Sequence, residues 1–241
     1  MKIQDAFKGL GCKKDETGQP VYVLTKIVTP KAHHGYLESY QNHFNAAVDR
    51  KSVKTFCELG ISRGASLIAW KRYFPNAHII GIDNDINALK PNMGPSFYEA
   101  AKKVLGDEFD DISIEIGDAM DKEFLESVAK KHGGFDIVLD DCSHLGIQME
   151  ISFNVLWKHT RFLYVIEDLQ TQFADGVAKG NFQFSKSRKY NKDGNFITDC
   201  LQTFVKEMIL PINIKDKTEF SSTRKDMSQI ITENFIAFIY K

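Results

Sequence analysis

The sequence predicts an α/β fold, a mostly parallel sheet of seven strands with helices on both faces and an antiparallel last strand. Three observations carry that expectation. Between Thr55 and Ile166, five short apolar runs alternate with stretches of helical spacing, as strand–helix crossovers of a parallel sheet require. Each run breaks at glycine or at an acidic residue, so the strand ends share one chemical character. The chain closes on two β-like runs, Gln229 to Thr232 and Phe235 to Tyr240, joined by Glu233-Asn234 as in a hairpin.

Residues 1–54 read as an N-terminal segment preceding the main domain, 55–241. Gly18-Gln19-Pro20 marks a turn, and Val21 to Leu24 suits a short strand or an ordered lid. Tyr36, Leu37, Tyr40, Phe44 and Val48 recur at three to four residues, as on the buried face of a helix. That helix either packs on the sheet edge or, through His33-His34-Gly35-Tyr36 at its entry, helps to close a cofactor pocket.

Thr55 to Leu59 is the first core strand, broken at Gly60. A helix should begin near Gly64, with Leu67, Ile68, Trp70 and Phe74 at close to helical spacing and Pro75-Asn76 as its stop. The second strand, His78 to Ile82, ends on Asp83. A dinucleotide fold wants G-x-G-x-x-G in the first turn, whereas this turn offers Glu58-x-Gly60-x-x-x-Gly64 with Ser62 at the place of the second glycine. E-x-G-x-x-x-G followed by an acid at the next strand end resembles motif I of the class I S-adenosylmethionine (SAM) methyltransferases, whose Rossmann-like sheet also ends on an antiparallel strand. The resemblance implies that the turn, Glu58, Gly60, Ser62 and Gly64, admits the methionine and ribose of SAM, and that Asp83 accepts from the ribose hydroxyls. A nicotinamide or sugar-nucleotide oxidoreductase and a plain structural turn are the alternatives at this point.

After Asp83 a helix-rich segment is broken by Pro91 and Gly94-Pro95, and a helix follows from about Phe97 to Leu105. The third strand, Ile112 to Ile116, ends in Gly117-Asp118, which places Asp118 to accept from the adenine amine, although Gly-Asp is also a common turn. A helix from Lys122 to Lys131 leads to the fourth strand, Phe135 to Leu139, which ends in Asp140-Asp141-Cys142-Ser143-His144. Another helix, Leu145 to Lys158, precedes the fifth strand, Phe162 to Ile166, which ends in Glu167-Asp168. Neighbouring parallel strands lie ~4.8 Å apart, so adjacency of these two would crowd three or four carboxylates into one volume. Two like charges ~4 Å apart repel by ~4 kcal/mol at an effective dielectric of ~20, so such a group takes up protons or holds a cation. The bland alternative is that one acid caps the following helix and another is solvated. Oxygen donors without a thiolate pair suit Mg²⁺ or another hard divalent ion, and His144 would then be a base for a hydroxyl whose pKa the ion lowers.

GASLIAWKRYFPNAHIIGID, FDIVLDDCSHLG and YVIEDLQT, with HGYLESYQNHF upstream, together resemble the metal-dependent sugar O-methyltransferases of the macrocin and mycinamicin type. The resemblance implies Mg²⁺ on Asp141, Glu167 and Asp168, with His144 as base and Asp141 part of the catalytic group. Cys142 stands where that pattern has glycine and Gln170 where histidine is common, so the chemistry is carried over and the acceptor is not.

A long loop is expected over 172–195, with Lys179, Lys186, Arg188, Lys189 and Lys192 interleaved with Phe182, Phe184 and Tyr190. A charge run is commonly just solvated; the functional alternative is an anion-binding wall for a phosphorylated or phosphorus oxyacid acceptor. Phe196 to Leu210, closed by Pro211, carries one wide apolar stripe and should be a core helix.

Charge excludes more than it assigns. With 31 basic and 32 acidic residues there is no field to draw nucleic acid, and the fourth strand lacks the proline-aromatic motif that holds a flipped base. No run is long enough to span a bilayer, the first residues do not read as a leader, and the 4 cysteines are scattered. The expectation is a cytoplasmic enzyme with reduced thiols, acting on a small molecule in polysaccharide or natural-product assembly. Assembly into a homo-oligomer stays open.

Overall fold

The structure is a computed structural model that describes residues 1–10, 12–14, 20–22, 29, 31, 35–85, 97–169, 226–233 and 236–241. The helix expected over Phe196 to Leu210, the basic loop over 172–195, and His33, His34, Gln170 and Cys200 lie outside the described residues.

A helical turn, α1 (Ile3–Ala6), comes first, then a two-stranded antiparallel ribbon, β1 (Cys12–Lys14) and β2 (Pro20–Tyr22). The main sheet follows: β3 (Thr55–Leu59), β4 (His78–Asp83), β5 (Ile112–Ile116), β6 (Phe135–Asp140), β7 (Thr160–Ile166), β8 (Gln229–Glu233) and β9 (Ile236–Tyr240). Its order is β5-β4-β3-β6-β7-β9-β8. Every pairing is parallel except the two made by β9, which runs antiparallel to both β7 and β8. This is the Rossmann-like class I methyltransferase sheet, with the antiparallel last strand that the terminal β-like runs predict.

The five predicted crossover strands are present, with ends shifted by at most two residues. The fifth begins at Thr160 instead of Phe162, because Thr160 is already paired with Phe135 and buried. β3 and β6 are central and buried on both faces, which is why they read as mostly apolar runs that do not alternate, with Glu58, Asp136 and Asp140 as their buried acids.

One face of the sheet is covered by α1, α2 (Tyr36–Ala47), α3 (Ala65–Tyr73) and α4 (Phe97–Leu105), the other by α5 (Lys122–Lys131) and α6 (Gly146–Leu156). The α2 stripe packs as its spacing predicts: Tyr40 and Phe44 are buried, with Tyr40 stacked on Phe44 at 5.3 Å and edge-on to Trp70 at 5.3 Å. α3 is buried almost all round, including Lys71. The Lys71 ammonium is satisfied by the Pro75 and Ala77 carbonyls and by Asp111 at 2.6 Å, so its burial leaves no charge unpaired. α5 starts where Asp121 accepts from the Glu123 and Phe124 amides. Among the described residues no helix is long and apolar enough to cross a membrane.

This topology brings the carboxyl ends of β3, β4, β6 and β7 to one edge. There Asp141 N donates to the Leu59 carbonyl and Glu167 N to that of Asp140, so the three central strand exits are bonded together.

Candidate active site

The turn after β3 is fixed by its own glycine and by Asp83. Gly60 has φ +79°, and a Cβ there would collide with the Asp141 carbonyl oxygen and the Cys142 Cα. The glycine is therefore required by protein backbone, before any ligand is considered. Asp83 Oδ2 accepts from the amides of Ile61 and Ser62, both at 3.1 Å, and Oδ1 from Asp85 N at 3.0 Å. Gly64, φ +77°, precedes α3, and the Phe97 ring fills the space a side chain would need.

Between this turn and the exits of β6 and β7 lies a cavity of about 280 Å³. Of the predicted site residues it is lined by Gly60, Ser62, Asp141, His144, Glu167 and Asp168, joined by Lys31, Arg63 and Cys142. Glu58 lies beneath it, fully buried, with Oε2 accepting from Ser66 Oγ at 2.6 Å. Asp118 is exposed at the β5 exit, where it accepts from Met120 N at 2.8 Å as the common-turn reading expects.

Adjacency of the two acidic strand ends is as predicted, but the grouping inside the cluster differs. Asp141, His144 and Asp168 each offer a ligand atom, and these atoms all lie within 4.8 Å of one another. His144 Nε2 is 3.4 Å from Asp168 Oδ2 and 3.9 Å from Asp141 Oδ1. Two carboxylates at that spacing fit a hard divalent cation, with the imidazole beside them. Glu167, expected as a third ligand, stands outside this group: its Oε1 accepts from Lys31 Nζ at 2.6 Å and from the Tyr40 hydroxyl. Tyr36, expected to close the cofactor pocket, donates from its hydroxyl to Asp168 Oδ1 at 2.5 Å. One face of α2 thus presents two hydroxyls, one turn apart, to two successive acids.

Lys31 is the residue that sequence reasoning missed. Its ammonium meets Glu167, Glu58 at 3.2 Å, and Asp141. Burial acts to discharge it, but Asp141, Glu167 and Glu58 more than reverse that and hold it well above the usual lysine value. One ammonium does not balance three acids. Burial and the charge of Asp141 push Glu167 up to about 8 against the pull of Lys31, and burial raises Glu58 against Lys31 and Ser66. Burial also raises the Cys142 thiol, so it is no nucleophile. Nothing in the sequence marks Lys31; the Tyr36–Tyr40 spacing marked a helix face, read there as a buried one.

Ser62, His144 and Asp168 are the non-glycine residues with positive φ among those described, at +48°, +55° and +56°. All three stand at the cavity, on the turns after β3, β6 and β7. Residues held in this region cluster at active sites and ligand clamps, although Asp and His enter it more readily than most side chains.

No protein-family model matches the chain. It is 32% identical over 152 residues to L-olivosyl-oleandolide 3-O-methyltransferase of Streptomyces antibioticus, which covers 59% of this chain and 34% of that one. It is 31% identical over 179 residues to mycinamicin VI 2''-O-methyltransferase of Micromonospora griseorubida, covering 70% of this chain and 39% of that one. The chain therefore spans little more than a third of these relatives. Among solved structures it superimposes on the MycE methyltransferase of the mycinamycin pathway, in complex with Mg and SAH, with a TM-score of 0.64 and 25% identity over 86% of this chain and 49% of that one. The motif-level resemblance thus extends to sequence and fold together.

Proposed function

We propose that this chain is a SAM-dependent O-methyltransferase, assisted by a divalent cation such as Mg²⁺, that acts on a hydroxyl of a sugar or sugar-like small molecule. The observation that carries the proposal is the meeting of Asp141, His144 and Asp168 in the lining of a cavity that the turn after Gly60 also lines. A relative with this fold binds Mg and SAH, and the curated relatives are named for methylating oxygens of olivosyl-oleandolide and mycinamicin VI.

In this reading the turn from Glu58 to Gly64 receives SAM, with Asp83 on the ribose and Asp118 beside the adenine. Arg63, on the same turn and in the cavity lining, is suited to the methionine carboxylate. Asp141 and Asp168 would hold the cation, with Glu167 beside them bonded to Lys31 and Tyr40. When bound, the cation supplies Lewis acidity that lowers the pKa of the acceptor hydroxyl. His144 would take the hydroxyl proton, so that the oxygen can accept the methyl of SAM in line, with S-adenosylhomocysteine as the product that leaves. The lysines and arginine in the sequence of 172–195 favour an anionic or phosphorylated acceptor. The setting is cytoplasmic natural-product or polysaccharide assembly, with residues 1–54 covering a methyltransferase domain, 55–241.

Calorimetry with SAM against NAD, followed by transfer of labelled methyl to a panel of glycosides with and without EDTA, tests this. Binding of SAM alone and chelator-sensitive transfer are the expected results. Binding of NAD, or transfer that survives complete chelation, would overturn it.

A further inference from the structure

The cation group does not account for all the charge in this cavity. Lys31 donates hydrogen bonds to Asp141 and Glu167 and lies 3.2 Å from Glu58 Oε1 as an ion pair, and its side chain is 3% exposed. Asp141 is divided between two neighbours: Oδ2 is held by Lys31, while Oδ1 turns to His144 Nε2. Glu167 Oε1 is held by the same ammonium and by Tyr40. Glu58 has no other cation near it among the described residues, and its Oε1 faces Lys31.

We propose that Lys31 is a built-in counter-ion of the acidic floor and a positioning residue for Asp141, and that it sets how tightly the cavity holds a divalent cation. The inference rests on the cation reading given above. An ammonium and a divalent ion that share Asp141 repel each other across a poorly solvated gap. The ammonium also occupies two carboxylate oxygens that an ion would otherwise use. With no metal present, the same ammonium keeps the buried Glu58 and Glu167, and the partly exposed Asp141, from standing uncompensated, a condition that is strongly destabilising for buried charges. Lys31 therefore stabilises the metal-free protein and weakens its hold on the ion, so that the ion can exchange.

The test is titration of Mn²⁺, read by electron paramagnetic resonance, for wild type, Lys31→Met and Lys31→Arg, with thermal melts of each in EDTA and in Mn²⁺. Lys31→Met should bind Mn²⁺ at least about tenfold more tightly than wild type, and Lys31→Arg, which keeps the charge, within about threefold. Lys31→Met should melt earlier than wild type in EDTA and gain more from Mn²⁺. Equal or weaker Mn²⁺ binding by Lys31→Met, or a melting gain no larger than wild type's, would overturn the proposal. If Lys31→Met folds only when Mn²⁺ is supplied, that supports it; a variant that fails to fold at saturating Mn²⁺ while Lys31→Arg folds would overturn it. A wild-type chain that takes up no Mn²⁺ overturns the cation reading itself, and the wild-type isotherm alone distinguishes that outcome.

Discussion

His144 Nε2 and Asp168 Oδ2 lie 3.4 Å apart although they leave different strands, and both residues hold a left-handed backbone, φ +55° and +56°. Each conformation costs about 1–3 kcal/mol for a residue with a side chain, so the surrounding structure must impose it. The imposing contacts are visible: β6 and β7 are paired to their last residues, and Tyr36 holds Asp168 from the opposite side. Removing His144 should therefore cost chemistry and not folding. His144→Gln is expected to lower kcat by about 10²–10⁴, with the SAM dissociation constant and Tm little changed. Single-turnover methyl transfer alongside SAM calorimetry checks this, and a wild-type kcat would remove His144 as base.

The Tyr36 hydroxyl orients Asp168 from outside the cation group. Supporting contacts of this kind commonly change metal affinity by about 10- to 100-fold when lost. Tyr36→Phe should weaken Mn²⁺ binding within that range while the ring still packs edge-on to Tyr40. An unchanged Mn²⁺ isotherm would show that Asp168 is held well enough by its strand.

Gly60 is tightly constrained by backbone. Gly60→Ala meets the carbonyl of Asp141 and carries a positive φ, so it should lose at least about 1–3 kcal/mol from backbone strain and displace the β6 exit as well. Denaturant unfolding should show the loss, and SAM and Mn²⁺ binding should fall together because one displacement touches both walls. Loss of SAM binding with Mn²⁺ binding intact would mean that the glycine serves the cofactor alone.

Much of this was legible in the chain. The strand ends carry the motifs, and a two-residue periodicity or an apolar run is read directly from local sequence, so β3 to β7 and their order along the chain were predictable. The pairing of β6 with β7, which turns two acidic dipeptides into one cluster, follows from the topology that the crossovers impose. The illegible part is non-local. Lys31 reaches its partners across 110 and 136 residues, and no periodicity marks a lysine that a distant fold will bury. Its ammonium bonds Glu167, the acid that the sequence assigns to the cation. Tyr36 was legible as a site residue, and its hydroxyl bonds the Asp168 carboxylate.

At the far end of the sheet, His78 supplies a pH dependence unconnected with catalysis. Burial, aided by the neighbouring His132 imidazole at 5.6 Å, lowers its proton affinity, and its Nε2 is hydrogen-bonded to Ser113 Oγ at 2.7 Å. The folded protein therefore binds this proton less readily than the unfolded chain. Stability from the neutral imidazole is fully present above the unfolded value of about 6.5 and is lost as pH falls through the folded one. The Tm advantage of wild type over His78→Gln should shrink between pH 8 and pH 5; an advantage that grows on acidification would reverse the assignment.

The account turns on whether the exits of β6 and β7 make one cation site. Equilibrium dialysis of Mn²⁺ against wild type, Asp141→Asn and Asp168→Asn measures this without any knowledge of the acceptor. One ion per chain in wild type, and its loss or severe weakening in both variants, is the expected result. Full Mn²⁺ retention by Asp141→Asn, or no uptake by wild type, would contradict it.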